Sequence, residues 1–441
     1  MGPHRSREVL VGPGLGRGAA FVRLFSSAII MQGLLSAANL FVGLVLIRRT
    51  NDVEYGSYVL VTNALALITL MQGAYIQPPM VSRMSQADRA GRSDLIGGLY
   101  REQRRILPIL AVTLILAAAV LWGSGLLTGR MILVVLAAIA ASLCTLYREF
   151  FRLVLLAYRR PFDVLKSDSL YVVMLCAGVM LATLSPWPAA TAVLGLALAA
   201  LVAGTISSRV LWRHEAWNPQ GAPGVFRAIA HVGGWSLAGA ATHWAFSQGY
   251  NYLVAGTLDV AAVAAIAATR LLMMPVNLVS TGIGTMILPT ASGWLQKHSP
   301  TKVLRRMVLF SSALALFSLC YFFVVWLLRD WIFTVVLKKS FAQRDVLLIL
   351  WSAVFIVVVF RDQMVNFVVA RGRLRALSSL TAASALISLL VSYLAMLRMG
   401  VTGALCGVLT GETCNLAGII FLALRERDST TPAAGAQTAK P

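Results

Sequence analysis

Four ionisable side chains, Arg270, Arg361, Asp362 and Glu412, stand inside long apolar runs of a 441-residue chain that is only 12% charged. An ionised group at the centre of a bilayer costs about 2.5–3.5 kcal/mol even on lenient insertion scales, so such groups must face a wet cavity or one another. Two readings are open. In the first, Arg361 or Arg270 pairs with Asp362 or Glu412 and simply locks helices together. In the second, the four line a shared aqueous pocket, and helical periodicity supports it. Asn277, Thr281 and Gly284 follow Arg270 at offsets of 7, 11 and 14, which puts all four on one helical face. Ser236, His243, Ser247 and Asn251 form a matching polar stripe in the preceding apolar run. The chemistry on offer is binding: guanidiniums, amides and hydroxyls for substrate, and Asp362 and Glu412 as candidates for ion coupling. Histidine as a residue type suits proton transfer, which makes His243 on the stripe and His231 nearer the end of its run candidates for it, against the commoner reading of both as packing or interface residues.

Signatures of catalysis are missing. The sequence has no P-loop, no dinucleotide fingerprint on a strand-turn-helix, and no HExxH or Cys/His cluster. Gly12-Pro-Gly-Leu-Gly-Arg-Gly18 has no preceding strand to make it a phosphate loop. The five cysteines, Cys144, Cys176, Cys320, Cys406 and Cys414, all lie in apolar runs without a CxxC pair and read as small buried hydrophobes. The expectation is a non-enzyme with no metal and no cofactor, and with no ATP-driven step of its own.

The elements that position these groups follow from composition. With 58% hydrophobic residues and a mean hydropathy of +0.78, the chain carries more apolar mass than a soluble core hides. Twelve spans are predicted at 21–47, 57–79, 106–127, 131–147, 168–184, 188–208, 228–255, 260–288, 308–328, 346–370, 378–397 and 402–424, lengths that suit a hydrocarbon core of about 30 Å. Five alternate loops hold 21 of the 38 Lys and Arg residues and the other six loops hold 8. By the positive-inside rule the rich loops are cytoplasmic, and an even number of spans puts both termini there too. The outer loop 329–345, with Arg329, Lys338, Lys339 and Arg344, is a local exception. The net charge of +21 is thus topogenic, and nucleic acid is not an expected partner.

The expected organisation is an N-terminal cytoplasmic arm (1–20), an N-lobe of six spans (21–211), a cytoplasmic linker (212–227), a C-lobe of six spans (228–424) and a disordered cytoplasmic tail (425–441). The linker carries Asn218-Pro-Gln-Gly-Ala-Pro-Gly224. A faint internal repeat supports the division. Thr50-Asn-Asp-Val precedes the second span of one lobe and Thr257-Leu-Asp-Val that of the other, each span ending on a Gly/Pro-punctuated stretch. The fold class is an all-α polytopic membrane protein. In the first lobe Asn63, Gln72 and Gln77 read as interhelical hydrogen-bonding groups, and Thr381, Ser384, Ser388 and Ser392 as a packing seam.

Leu46-Ile-Arg-Arg-Thr-Asn-Asp-Val-Glu-Tyr-Gly-Ser-Tyr58 resembles a signature of Wzx-type polysaccharide flippases, members of the multidrug/oligosaccharidyl-lipid/polysaccharide exporter superfamily. Thr50-Asn-Asp stands where that family usually has Leu-Gly-Pro. Arg148-Glu-Phe-Phe-Arg152 through Tyr158-Arg-Arg-Pro161 and Asp168 is similar to its loop between spans four and five. Ala370-Arg-Gly-Arg-Leu-Arg375 with Met399-Gly-Val-Thr-Gly-Ala-Leu-Cys-Gly407 resembles its last two spans. The resemblance implies a MATE-like, V-shaped, alternating-access transporter of a bacterial cytoplasmic (inner) membrane. It further implies export of an undecaprenyl-pyrophosphate-linked glycan to the outer leaflet, beside the polymerase and export machinery of a surface polysaccharide. Arg270 and Arg361 are then the positions to hold the pyrophosphate, since guanidinium binds phosphate oxygens in a bidentate manner, with His243, Ser247, Asn251 and Asn277 towards the sugars.

The leading alternative is a cation-coupled multidrug antiporter of the same fold, with Asp362 and Glu412 binding drug or ion. A lipid II flippase is disfavoured because that branch usually has fourteen spans. A membrane glycan polymerase or ligase is disfavoured because the longest outer loop, 329–345, is short for a catalytic domain.

Overall fold

A computed structural model describes residues 15–125, 129–215, 217, 218 and 220–425. The expected tail beyond 425 and residues 1–14 of the expected arm lie outside the described residues. Leu15–Ala20, expected in that arm, are the first turns of a helix instead.

Fourteen helices follow in order: α1 (Leu15–Arg49), α2 (Asp52–Gln86), α3 (Arg89–Gly123), α4 (Arg130–Ala157), α5 (Pro161–Ala182), α6 (Pro188–His214), α7 (Val225–Thr257), α8 (Val260–Leu271), α9 (Met274–Lys297), α10 (Pro300–Leu327), the three-residue α11 (Arg329–Trp331), α12 (Arg344–Ala370), α13 (Leu374–Met399) and α14 (Val401–Arg425). A π-helical turn, Ile332–Leu337, continues from α11. Among the described residues there is no strand, nine helices are long and apolar enough to cross a membrane alone, and α8 with α9 makes a tenth, broken span bent by 58°. The 33-residue α7 and 27-residue α12 each carry several interior polar groups, and with them the order is consistent with twelve passes. The protein is an all-α, multi-pass membrane protein.

Local chemistry sets the helix starts. Asn51, Asp88 and Asp259 cap α2, α3 and α8, each side chain accepting from a backbone N–H three residues on. Proline opens α5, α6 and α10, where its missing N–H costs nothing. The repeated Thr-x-Asp-Val motif therefore marks a helix start in each set, one position apart in register: Asn51 caps α2 with Asp52 as its first residue, whereas Asp259 itself caps α8. The copies then diverge: α2 runs unbroken for 35 residues, whereas the span predicted at 260–288 breaks between Leu271 and Met274. Pro275 accounts for the break, since it has no N–H to donate and its ring clashes with the carbonyl of Leu271. Tyr321 stabilises the opened backbone by donating its hydroxyl to the Leu272 carbonyl at 2.8 Å.

Helices also outrun the apolar spans. The basic segment 80–105, expected as a loop, is the end of α2 and the start of α3 with one short break. Hydropathy ends where charge begins, but Arg, Gln and Leu are good helix formers.

Helices α1 to α6 pack mainly among themselves, as do α7 to α14, and the two sets meet chiefly where α2 lies against α7 and α8. Along that seam Tyr75, Trp244 and Tyr252 donate to the carbonyls of Phe226, Asn63 and Leu60 at 2.9, 3.1 and 2.8 Å. The segment between α6 and α7 is clamped on α3, where Asn218 donates to Asp94 at 2.7 Å and Glu102 accepts from the Gly224 N–H at 3.0 Å.

Small residues bring the helices close. A Cβ on Gly195 of α6 would stand 3.0 Å from the Cα of Gly178 on α5, so the two backbones touch. Gly195→Leu is expected to destabilise the protein by about 1–3 kcal/mol, the usual cost of overpacking, read as a lowered melting temperature in detergent. An unchanged melting temperature would show that the α5–α6 contact can yield. The serine seam of α13 faces α14, Ser392 donating to the Ala404 carbonyl at 2.9 Å with Ser388 against Gly411, while Thr381 turns towards α7 instead.

The charges of segment 329–345, which depart from the loop pattern, are largely neutralised. Arg329 lies 3.6 Å from Asp345, Lys339 2.6 Å from Asp52, and Arg344 pairs with Asp330 and Asp345. In the opposite half a buried pair, Arg148 with Asp168, is shared by Arg152, whose Nε lies 3.1 Å from the same carboxylate.

Candidate functional site

Polar residues of α2, α7, α8, α9, α12 and α14 converge on a cavity of about 550 Å3. All eight residues picked out from the sequence line it: His243, Ser247, Asn251, Arg270, Asn277, Arg361, Asp362 and Glu412. Ser236, placed on the same stripe of α7, does not; its hydroxyl donates to the Val232 carbonyl of its own helix.

The helix break shapes the wall. Arg270 occupies the last turn of α8, and Asn277 and Thr281 the first turns of α9. The stripe read as one continuous helical face is therefore split over two helices, both facing the cavity. Near Arg270 the freed turn and the polar face coincide.

The two arginines have different surroundings. Arg270 donates through Nη1 to Gln248 Oε1 at 2.8 Å and to the Tyr250 hydroxyl at 3.1 Å, and its guanidinium lies 5.5 Å from the centre of the Trp351 ring. Trp351 is fixed in turn by donating to the Ile266 carbonyl at 3.1 Å. Gln248 Oε1 also accepts from Asn251 at 3.2 Å, so Asn251 orients the acceptor that orients Arg270. Every hydrogen-bond acceptor in this set is neutral, and Arg270 acts on the cavity's Glu412 only through space.

Arg361 sits between two carboxylates. It donates through Nη2 and Nε to Asp362 Oδ1 at 2.6 and 3.0 Å, and through Nη1 to Glu412 of α14. Glu412 is 5% exposed, whereas Asp362 retains access to the cavity. The two readings coexist: all four groups line one cavity, and within it Arg361 is also the centre of an interhelical ion pair, whereas Arg270 is held by neutral partners.

Three groups escaped the sequence reading. Gln248 was legible in principle, as an amide inside a span three positions from Asn251. Tyr250 and Trp351 gave no signal, since buried aromatic residues in apolar runs are ordinary core. Asn63, read as an interhelical group, lines the cavity from α2, while Gln72 does bond between helices, to the Leu146 carbonyl at 3.0 Å.

No family model matches the chain, and no curated protein matches it in sequence. Its likeness is structural. An inward-facing multidrug resistance MATE family transporter of the MOP superfamily resembles it at a TM-score of 0.75 and 13% identity, over 92% of this chain and 99% of that one. The chain has the MOP-superfamily fold. The lipid II flippase MurJ in an inward closed conformation shares that fold at a TM-score of 0.71 and 11% identity, over 90% of this chain and 87% of that one. A MOP-superfamily transporter from Pyrococcus furiosus follows at 0.64 and 14% identity, over 92% and 95%. Structures with this fold include a drug transporter and a lipid flippase.

Proposed function

We propose that the protein is a flippase that carries a lipid-linked oligosaccharide from the cytoplasmic to the outer leaflet of a bacterial inner membrane for surface polysaccharide synthesis. The observation that carries this reading is Arg270, a cation presented to the cavity by neutral groups alone. Such a seat suits an anionic diphosphate, which accepts charge-assisted hydrogen bonds from guanidinium. The amides and hydroxyls beside it, Asn251, Asn277 and Ser247, suit sugar hydroxyls. For the Pyrococcus furiosus transporter, a binding pocket of reverse polarity suggests a different function; pocket polarity is the property to weigh here also. Alternating access between lobes 21–211 and 228–424, both termini cytoplasmic, completes the mechanism, with polysaccharide polymerase and export machinery as partners.

One feature favours the cation-coupled multidrug antiporter instead. Asp362 faces the cavity and Arg361 is shared by two acids, so this corner carries one surplus negative charge. Reconstitution separates the two. In proteoliposomes the flippase is expected to move a fluorescent polyprenyl-diphosphate oligosaccharide between leaflets and to leave a cationic dye in place. Dye efflux driven by a proton or sodium gradient, without lipid movement, would reverse the assignment.

A further inference from the structure

We propose that a crevice between α3 and α4, level with the basic segment 80–105, is a phospholipid site that takes an ethanolamine head with its phosphate and lays an acyl chain along α3. The site is separate from the central cavity, to which α3 contributes no lining residue, and does not depend on what that cavity carries. The crevice has a volume of about 370 Å3, and a chamber of about 140 Å3 adjoins it at Gln103 and Leu107, which line both. Its polarity is graded. Tyr100, Gln103 and Arg104 of α3 stand at one end with Tyr147 of α4, and Leu107, Ala111 and Leu143 line the other. As consecutive spans the two helices run in opposite directions, so both polar ends lie at the same level, next to the basic segment. Tyrosines and an arginine at the edge of an apolar slot match the depth profile of a phospholipid.

The slot faces lipid. Ile109 and Val112, which neighbour the lining residues Pro108 and Ala111, are 65% and 57% exposed in an apolar spanning stretch, where the surroundings are hydrocarbon. The polar end holds acceptors that lack donors. Gln72 and Gln103 both donate to the Leu146 carbonyl, at 3.0 and 3.1 Å, and the Oε1 of each is buried without a hydrogen-bond partner among the described residues. Gln103 itself is 6% exposed and lines the crevice. Pro108, inside α3, has no N–H for the carbonyl of Arg104 one turn back, which frees a second acceptor there. A ligand for this end must bring N–H or O–H donors. It must also suit Arg104, which is exposed, while Glu102 on another face of α3 is taken by the Gly224 N–H. A primary ammonium carries three N–H bonds and makes charge-assisted hydrogen bonds to neutral oxygens, and the phosphate beside it suits the guanidinium. The ethanolamine head carries both groups.

The test offers three phospholipids at equal concentration to the full-length protein and reads retention by native mass spectrometry. Phosphatidylethanolamine is compared with phosphatidylcholine, whose methylated ammonium keeps the charge and the phosphate but has no N–H, and with phosphatidylglycerol. Retention of phosphatidylethanolamine is expected to exceed that of phosphatidylcholine about tenfold, the weight of one hydrogen bond to a charged group. Gln103→Leu should remove most of that advantage and leave phosphatidylcholine retention unchanged, whereas Arg104→Gln should lower retention of both. Phosphatidylethanolamine with a photoreactive acyl chain should crosslink within residues 107–111 and at Leu143. Equal retention of phosphatidylethanolamine and phosphatidylcholine, stronger retention of phosphatidylglycerol, an undiminished advantage in Gln103→Leu, or crosslinks confined elsewhere would overturn the site. Each of those results leaves the reading of Arg270 and the central cavity standing. Should Gln103→Leu fail to fold, the wild-type retention ratio and crosslink map decide by themselves.

Discussion

Arg270→Ala is expected to abolish surface polysaccharide in cells and to cut translocation of a lipid-linked oligosaccharide in proteoliposomes by about 10- to 100-fold, while the protein still reaches the membrane and folds. The magnitude follows from hydrogen bonds to charged groups, worth about 1.5–3 kcal/mol each, at about 1.4 kcal/mol per decade. The sparing of the fold follows from the neighbours. Gln248 and Tyr250 lose a donor but border a cavity, where water replaces it, so no buried charge is orphaned. Arg270→Lys keeps the charge without the planar fork and should recover only part of the activity. Gln248→Leu is the complementary variant: charge remains, its placement does not, and affinity for the head should fall less than in Arg270→Ala. Normal polymer levels in Arg270→Ala would remove the central support of the proposed function.

Arg270 and Arg361 were legible in the sequence because an arginine deep in an apolar run is anomalous wherever the helix packs. His243, Ser247, Asn251 and Asn277 were legible by helical period. The different fates of the two arginines were not legible. Glu412, which ties up Arg361, is 51 positions downstream, and only the packing of α12 against α14 brings them together. The break at Leu272 and Met273 was equally hidden, because Pro275 lies in a span whose hydrophobicity continues on both sides, and prolines are common in membrane helices. Segment 80–105 shows the converse limit: its charge led to the expectation of a basic loop, but said nothing of whether its backbone stays helical.

The cavity sums to no net formal charge, yet its polarity is local. Arg270 on α8 and the Arg361–Asp362–Glu412 group on α12 and α14 form a positive and a negative corner of one space. A substrate with an anionic head would favour the first, and a coupling proton or sodium ion the second, so one cavity can serve transport and coupling at separate corners. Asp362→Asn distinguishes the roles: it leaves the Arg270 seat intact and removes the exposed carboxylate.

The largest effect on stability is expected from Arg361→Ala. Removing this guanidinium leaves Glu412, 5% exposed, and Asp362 beside it with no counter-ion. Breaking a buried ion pair from one side costs about 3–5 kcal/mol, because the surviving charge keeps its desolvation penalty and loses its compensation. Two mutually repelling acids place this case at the upper end. Glu412→Gln should be much milder, since Arg361 retains Asp362 and the amide still accepts its hydrogen bond. The double variant Arg361→Met with Glu412→Met removes the buried acid together with its cation and should recover much of the lost stability, as well-packed apolar replacements of buried pairs do. Thermal unfolding of the purified proteins in one detergent checks the order: Arg361→Ala lowest, then the double variant, then Glu412→Gln nearest wild type. If Arg361→Ala instead melts with the wild type, the two carboxylates must already be hydrated or protonated, and the negative corner described above would not exist.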